Sequence, residues 1–255
     1  MGKGTRYKKS IAVKKLISFM LFIFFIAIFI ISGTKIIDYF KDANSNKKIF
    51  DYISKDIKIE EKNTDINTTK YNINFASLRE KNSDTVGFIK VNGTDIEHIV
   101  VRSKDNSYYL NHNFEKNENS AGWIFADYHN KLDGTDKNII IYGHNMRNNT
   151  MFGTLKNILN DEWKEKEDNK YIIFITENEN TKYEVFSVYQ IEAEDYYLKT
   201  SFSEGEFKKF ADTIKSRSKY TFNVDVDEND SILTLSTCAN NNKYRVLLHA
   251  KKIIE

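Results

Sequence analysis

Residues Leu16 to Thr34 hold no charged side chain, and Leu16 to Ile31 is apolar except for Ser18. Nineteen helical residues span about 28 Å, close to the hydrocarbon thickness of a bilayer. Six bases precede this stretch (Lys3, Arg6, Lys8, Lys9, Lys14 and Lys15) and no acid does. Such a flank favours the cytoplasmic side. The pattern predicts a basic cytoplasmic N-terminus over 1–15, a transmembrane signal anchor over 16–34 and everything after it outside the membrane. The exit, Ser32-Gly33-Thr34-Lys35, is not an A-x-A-like cleavage site, so the reading favours an uncleaved anchor over a removed signal peptide.

The charge balance supports that division. The chain has 38 basic and 36 acidic residues. Without the six N-terminal bases, 32 face 36 acids, a net of −4 for the remainder. The basic character is therefore a topology signal, and no nucleic-acid-binding surface is expected. Residues 35–56 mix apolar and charged positions and predict one or two short amphipathic helices. Residues 57–71 are largely polar, and 35–71 is read as an extracellular stem or linker, with Ile57-Lys58-Ile59 as an alternative brief strand. The region 72–255 is long enough for one sizeable core.

Within it, β-branched and aromatic runs dominate: Val86–Val91, Ile96–Val101, Gly122–Ala126, Asn138–Tyr142, Tyr171–Ile175, Tyr183–Ile191, Ile232–Thr237 and Tyr244–Ile254. Helices are expected at Phe75–Lys81, Met151–Asn160 and Ser203–Ser216. In the last, Phe207, Phe210, Ala211 and Ile214 share one face, and Ser203 and Glu206 make a candidate capping box. Many short strands with few helices predict a mainly β fold, a barrel or strongly curved sheet.

Cys238 is the only cysteine, so it makes no internal disulfide. It ends an apolar strand, and a second strand starts at Tyr244 after the polar turn Ala239-Asn240-Asn241-Asn242-Lys243. A hairpin here sets Cys238 beside Arg245, roughly 5 Å apart at Cα if they pair directly. A thiol beside a guanidinium suits a nucleophile beside an oxyanion partner. Among five histidines, His144 stands best as a catalytic base, since it follows the strand Ile139–Tyr142 where a loop begins. His98 and His249 lie inside strand runs and read as structural or surface residues; His112 and His129 lie in polar loops. No CxxC, HExxH or phosphate-binding glycine loop is present, so no metal site is assigned. The acidic run Asp225–Asp230 reads as a solvated turn rather than a calcium loop.

Taken together, Thr234-Leu235-Ser236-Thr237-Cys238, Arg245 and Tyr142-Gly143-His144-Asn145-Met146 resemble the sortase family, and its class B branch in particular. Asp84–Lys90, Asp105–Asn111, Met151-Phe152 and the helix near Ser203–Ser216 extend the likeness over about residues 72–254. The resemblance implies an eight-stranded sortase-type β-barrel with N-terminal helices and a helix between the sixth and seventh strands. It implies a cysteine transpeptidase needing no cofactor. Cys238 would cleave a C-terminal sorting motif after Thr through a thioacyl intermediate, with His144 as acid and base and Arg245 holding the carbonyl. Asn106, Leu110, Tyr142, Tyr197, Leu198 and Ser236 would line the motif-binding groove. The partners implied are surface proteins bearing the motif and an amine acceptor, from a peptidoglycan precursor or a pilin lysine. Three other readings compete. In a papain-like enzyme the cysteine opens a helix and precedes the histidine, the reverse of the order here. The others are a non-enzymatic anchored β-domain, an adhesin or scaffold with Cys238 merely buried, and a sortase-like binder of low turnover.

Overall fold

The structure, a computed structural model, describes residues 3–63, 68–239 and 243–253, with the backbone alone described at 3–13, 59–63, 68–70, 238 and 239. The chain divides into two compact units, Met1–Asn44 and Ser45–Glu255. Helix α1 runs Lys3–Ile53 and a 3-10 turn follows at Ser54–Asp56, one helix where one or two short ones were expected. Its large apolar side chains from Leu16 to Ile31 are exposed, and it is long and apolar enough to cross a membrane. Strands β1 (Ile57–Asn63) and β2 (Thr68–Ile73) then pair as an antiparallel hairpin. The brief strand read at Ile57–Ile59 is thus part of a longer one. Helix α2 (Phe75–Lys81) is capped by the Asn74 side chain, which accepts the Ser77 N–H.

Eight further strands close a barrel: β3 (Thr85–Val91), β4 (Glu97–Val101), β5 (Phe125–Ala126), β6 (Asn138–Tyr142), β7 (Tyr171–Ile175), β8 (Asn180–Glu192), β9 (Ile232–Ala239) and β10 (Tyr244–Lys252). Around the barrel the order is β10-β8-β7-β3-β4-β5-β6-β9. Closure removes the exposed edges that short strands would otherwise present. The interior is apolar, with Phe88, Ile140, Leu235 and Leu247 fully buried. The fold is mainly β and eight-stranded, as expected. Helix α3 (Asp161–Glu165) is a short surface turn, and α4 (Glu206–Ser216) connects β8 to β9, the sixth and seventh barrel strands.

Three of the boundaries that differ from the sequence reading have a local cause. The strand expected from Gly122 begins only at Phe125. Gly122 sits at φ +57, where a Cβ would stand 2.4 Å from the Tyr109 carbonyl oxygen, so the chain turns there instead of pairing. The helix expected over Met151–Asn160 is a 3-10 turn at Leu155–Leu159. Its front residues are held elsewhere: Met151 bridges Asn145 at φ +52, and the Phe152 N–H goes to the His144 carbonyl. Helix α4 starts at Glu206 rather than Ser203, after Gly205 at φ +70. Half of the capping box forms, the Glu206 carboxylate accepting the Ser203 N–H at 2.9 Å. The acidic run also has a structural task. Glu228 accepts the Gly205 and Lys208 N–H groups at the start of α4, where a helix exposes unpaired donors. Residues 240–242 of the expected hairpin turn, and Ile254, lie outside the described residues.

Candidate active site

Three neighbouring strands bring the candidate residues to one end of the barrel. β9 runs parallel to β6 on one side and antiparallel to β10 on the other. In the β9–β10 ladder Arg245 is the direct partner of Cys238. In the β6–β9 ladder Tyr142 is the last partner, opposite Ser236. The two chains stay tied one residue further. The Thr237 hydroxyl donates to the Gly143 carbonyl at 2.6 Å, and the Gly143 N–H reaches the Ser236 carbonyl at 3.4 Å. His144 and Cys238 are the next residues along. The backbone therefore sets His144, Cys238 and Arg245 in a row across the ends of β6, β9 and β10.

The loop after β6 fixes His144. Its carbonyl accepts the N–H groups of Met146 and Phe152, both at 3.0 Å. Gly143 is packed so closely that a Cβ would lie 2.7 Å from the Phe152 ring. The His144 ring is half-buried, with Nε2 2.6 Å from the Leu110 carbonyl oxygen. A carbonyl only accepts, so Nε2 carries the proton and Nδ1 is the acceptor nitrogen of the neutral ring. Arg245 is half-buried, and its guanidinium donates to the Tyr244 carbonyl at 3.1 Å.

Four of the six residues expected to line a groove fall into two hydrogen-bonded groups. Asn106 and Tyr142 meet through the buried carboxylate of Asp127, the amide donating at 2.7 Å and the phenol at 2.8 Å. Asp127 also takes the backbone N–H of His129 and faces its Nδ1 at 2.8 Å. Burial first, then the Asp127 charge, push the Tyr142 phenol well above its ordinary range, so it remains a donor. On the other side, the hydroxyls of Tyr197 and Ser236 lie 3.2 Å apart, both buried. Leu198 follows Tyr197 and is half-buried, and Leu110 is 42% exposed while its carbonyl holds His144.

Two residues of this region escaped the sequence reading, Asp127 and Asn138. Asp127 comes immediately after the apolar run Gly122–Ala126, the same strand-end position that singled out His144. Asn138 is fully buried, and its amide donates to the carbonyls of Lys199 at 2.9 Å and Tyr197 at 3.4 Å. The remaining histidines are placed differently. His98 is buried between Phe50 and Trp123, and burial pushes it down to about 4. His249 is fully buried and pushed down to about 3 for the same reason. His112 stacks on Tyr108 with ring centroids 4.0 Å apart.

A cysteine and an arginine are thus paired across one ladder of a closed barrel, with a histidine at the adjoining strand end. The Sortase domain family model matches residues 89–253. The sortase B of Listeria monocytogenes is 34% identical over 238 residues, covering 89% of this chain and 93% of that protein. The crystal structure of Clostridium perfringens sortase B has a TM-score of 0.66 at 39% identity, covering 71% of this chain and all (100%) of that one. A sortase B complexed with triglycine has a TM-score of 0.66 at 36% identity, covering 70% of this chain and 85% of the other. The chain belongs to the sortase family, in its class B branch. Its general activity is that of a sortase transpeptidase.

Proposed function

We propose that this enzyme cleaves a C-terminal sorting motif after threonine and passes the new acyl end to an amine. The Cys238 thiol passes its proton to His144 at Nδ1, and the thiolate so formed attacks the threonine carbonyl carbon to give a tetrahedral oxyanion. Arg245 holds that oxygen; a guanidinium stays charged and offers a planar fork of donors. The oxyanion collapses, the C–N bond breaks, and His144 gives its proton to the departing amine. A thioester to Cys238 remains. The acceptor amine attacks this thioester, His144 takes a proton from it, and the Cys238 thiolate leaves. Asn106, Leu110, Tyr142, Tyr197, Leu198 and Ser236 form the walls that hold the motif.

The observation that carries this reading is the ladder itself: Cys238 and Arg245 are direct partners, next to the strand end that bears His144. The triglycine complex of a related sortase B supports a primary amine as acceptor class, from a peptidoglycan precursor or a pilin lysine. Residues 16–34 act as a single membrane anchor with the basic N-terminus inside. Residues 35–71 are the stem and 72–255 the catalytic domain outside, where motif-bearing surface proteins and acceptor meet. The test uses the full chain in detergent with a sorting-motif peptide and triglycine, followed by chromatography and mass spectrometry. The expected product is the motif joined through its threonine to triglycine. Transfer that survives in Cys238→Ala contradicts the reading.

A further inference from the structure

A continuous file of buried hydrogen bonds runs beneath the site, and its chemistry fixes the direction of every proton in it. At one end the Asn138 amide nitrogen faces the carbonyl oxygens of Lys199 and Tyr197. Carbonyls only accept, so this atom is the NH₂ group and Oδ1 points the other way. Oδ1 lies 2.7 Å from the Thr234 hydroxyl, which must therefore donate to it. That hydroxyl has given up its only proton, so at 2.9 Å it accepts from His249 Nδ1–H. The neutral His249 ring then has a lone pair at Nε2, which accepts from the Tyr189 hydroxyl at 3.0 Å. Tyr189 in turn accepts from the Tyr196 hydroxyl at 2.6 Å. The file thus begins and ends on one segment, residues 196–199. It grips Tyr196 by its phenol and Tyr197 and Lys199 by their carbonyls.

The interior members, Asn138, Thr234 and His249, are completely buried, and Tyr189 is 3% exposed. Reversing any one bond in such a place leaves a buried donor facing a donor. Burial also holds the His249 imidazole neutral, as the direction requires. At the open end the Arg217 guanidinium lies 3.9 Å from the centre of the Tyr196 ring and pairs with Glu194, which closes the segment from outside. His249 and Thr234 are direct partners in the β9–β10 ladder, as Arg245 and Cys238 are. The file is therefore anchored in the same two strands that carry the nucleophile.

We propose that this file is a positioning device for the Tyr196–Lys199 segment, with His249 locked as its Nδ1–H tautomer, and that it acts on sorting-motif binding rather than on bond cleavage. The inference rests on the reading that Tyr197 and Leu198 line the motif groove. Thr234 and His249 are positioning residues and touch no reacting atom.

The full chain labelled with ¹⁵N-histidine, in detergent micelles, gives the tautomer directly; the His249 signals are those missing from His249→Asn. The expected spectrum is a neutral ring protonated at Nδ1 from pH 8 to pH 5. A ring protonated at Nε2, or one that titrates near neutrality, overturns the proposal. Kinetics on one sorting peptide give the second arm. Thr234→Val removes the hydroxyl at nearly constant shape and should raise KM about tenfold with kcat within about twofold of wild type. Thr234→Ser restores the hydroxyl and should recover most of that loss. A fall in kcat at constant KM, or a serine variant no better than valine, overturns it. Should Thr234→Val not fold, the wild-type tautomer alone decides. Should the wild-type chain turn over no sorting peptide, the functional reading fails while the tautomer still decides whether the file exists.

Discussion

Two layers of the β9–β10 ladder, four residues apart on each strand, place a histidine in opposite surroundings, one at the strand ends and one sealed in the core. The upper layer pairs Cys238 with Arg245 and has His144 beside it; the lower pairs Thr234 with His249. In the lower layer both ring nitrogens are bonded, the ring is fully buried, and burial pushes it down to about 3. Such a histidine has no proton to give near neutrality and no room for a substrate. In the upper layer the strands end, and the His144 ring and the guanidinium are half-buried. His144 is steered by one backbone carbonyl at Nε2, which leaves its other nitrogen for chemistry. Among the described residues, the proposed catalytic histidine differs from the buried one in its unfinished set of partners rather than in its place in a strand or loop.

The largest effect that separates the layers is loss of the thiol. Cys238→Ala should abolish peptide cleavage with the fold intact, and His144→Ala should cost several orders of magnitude, because groups acting as a unit are not additive. Single-turnover assays with circular dichroism check both. Near wild-type turnover in either variant would move the chemistry elsewhere. Next comes Arg245. Lysine keeps the charge and loses the planar fork, so Arg245→Lys and Arg245→Ala should each lose about 10²–10³ in kcat. If either turns over near the wild-type rate, Arg245 is structural.

A smaller effect probes how rigidly the upper layer is held. In Gly143→Ala the new methyl meets the Phe152 ring, so the loop that orients His144 must shift. Overpacking of this kind costs about 1–3 kcal/mol, and activity should fall further than the melting temperature alone would suggest. A variant with wild-type stability and kcat would show that the loop is looser than its packing implies.

The last effect touches neither layer's chemistry, belongs to the buried histidines and is read in stability alone. Burial lowers His98 to about 4, below the ordinary value of 6.5 it regains on unfolding. The unfolded chain therefore binds the proton first, and stability is full above about pH 6.5 and falls as pH drops through 4. Fully expressed, His98 alone accounts for about 3 kcal/mol of that loss. Melting temperatures between pH 7 and 4 should fall in wild type and fall less in His98→Leu. A flat wild-type profile would contradict the burial argument.

Much of the placement of the candidate site was legible in the sequence because its signals are local. A strand that ends in Thr237-Cys238, a polar turn and a strand that starts at Tyr244 specify the hairpin, and with it the Cys238–Arg245 pairing. Asn138–Tyr142 is apolar enough to be a buried strand, which left His144 at its end. What stayed hidden depends on contacts between distant segments. Nothing near Asp127 in the chain reveals that Asn106 and Tyr142 both donate to it, 21 and 15 residues away. The Met151–Asn160 helix failed because its first residues are drawn into the histidine loop, which periodicity does not register. Gly122 looked like part of a strand, yet the Tyr109 carbonyl occupies the space its side chain would need.

The central claim is that Cys238 carries the acyl group between donor and acceptor. Intact-mass spectrometry of the full chain, mixed with a sorting-motif peptide and no acceptor amine, tests it most directly. The account predicts a covalent adduct equal in mass to the peptide portion ending at threonine, mapped to Cys238 and released by hydroxylamine or triglycine. An adduct on any other residue, or transfer to triglycine with no adduct formed, would contradict it.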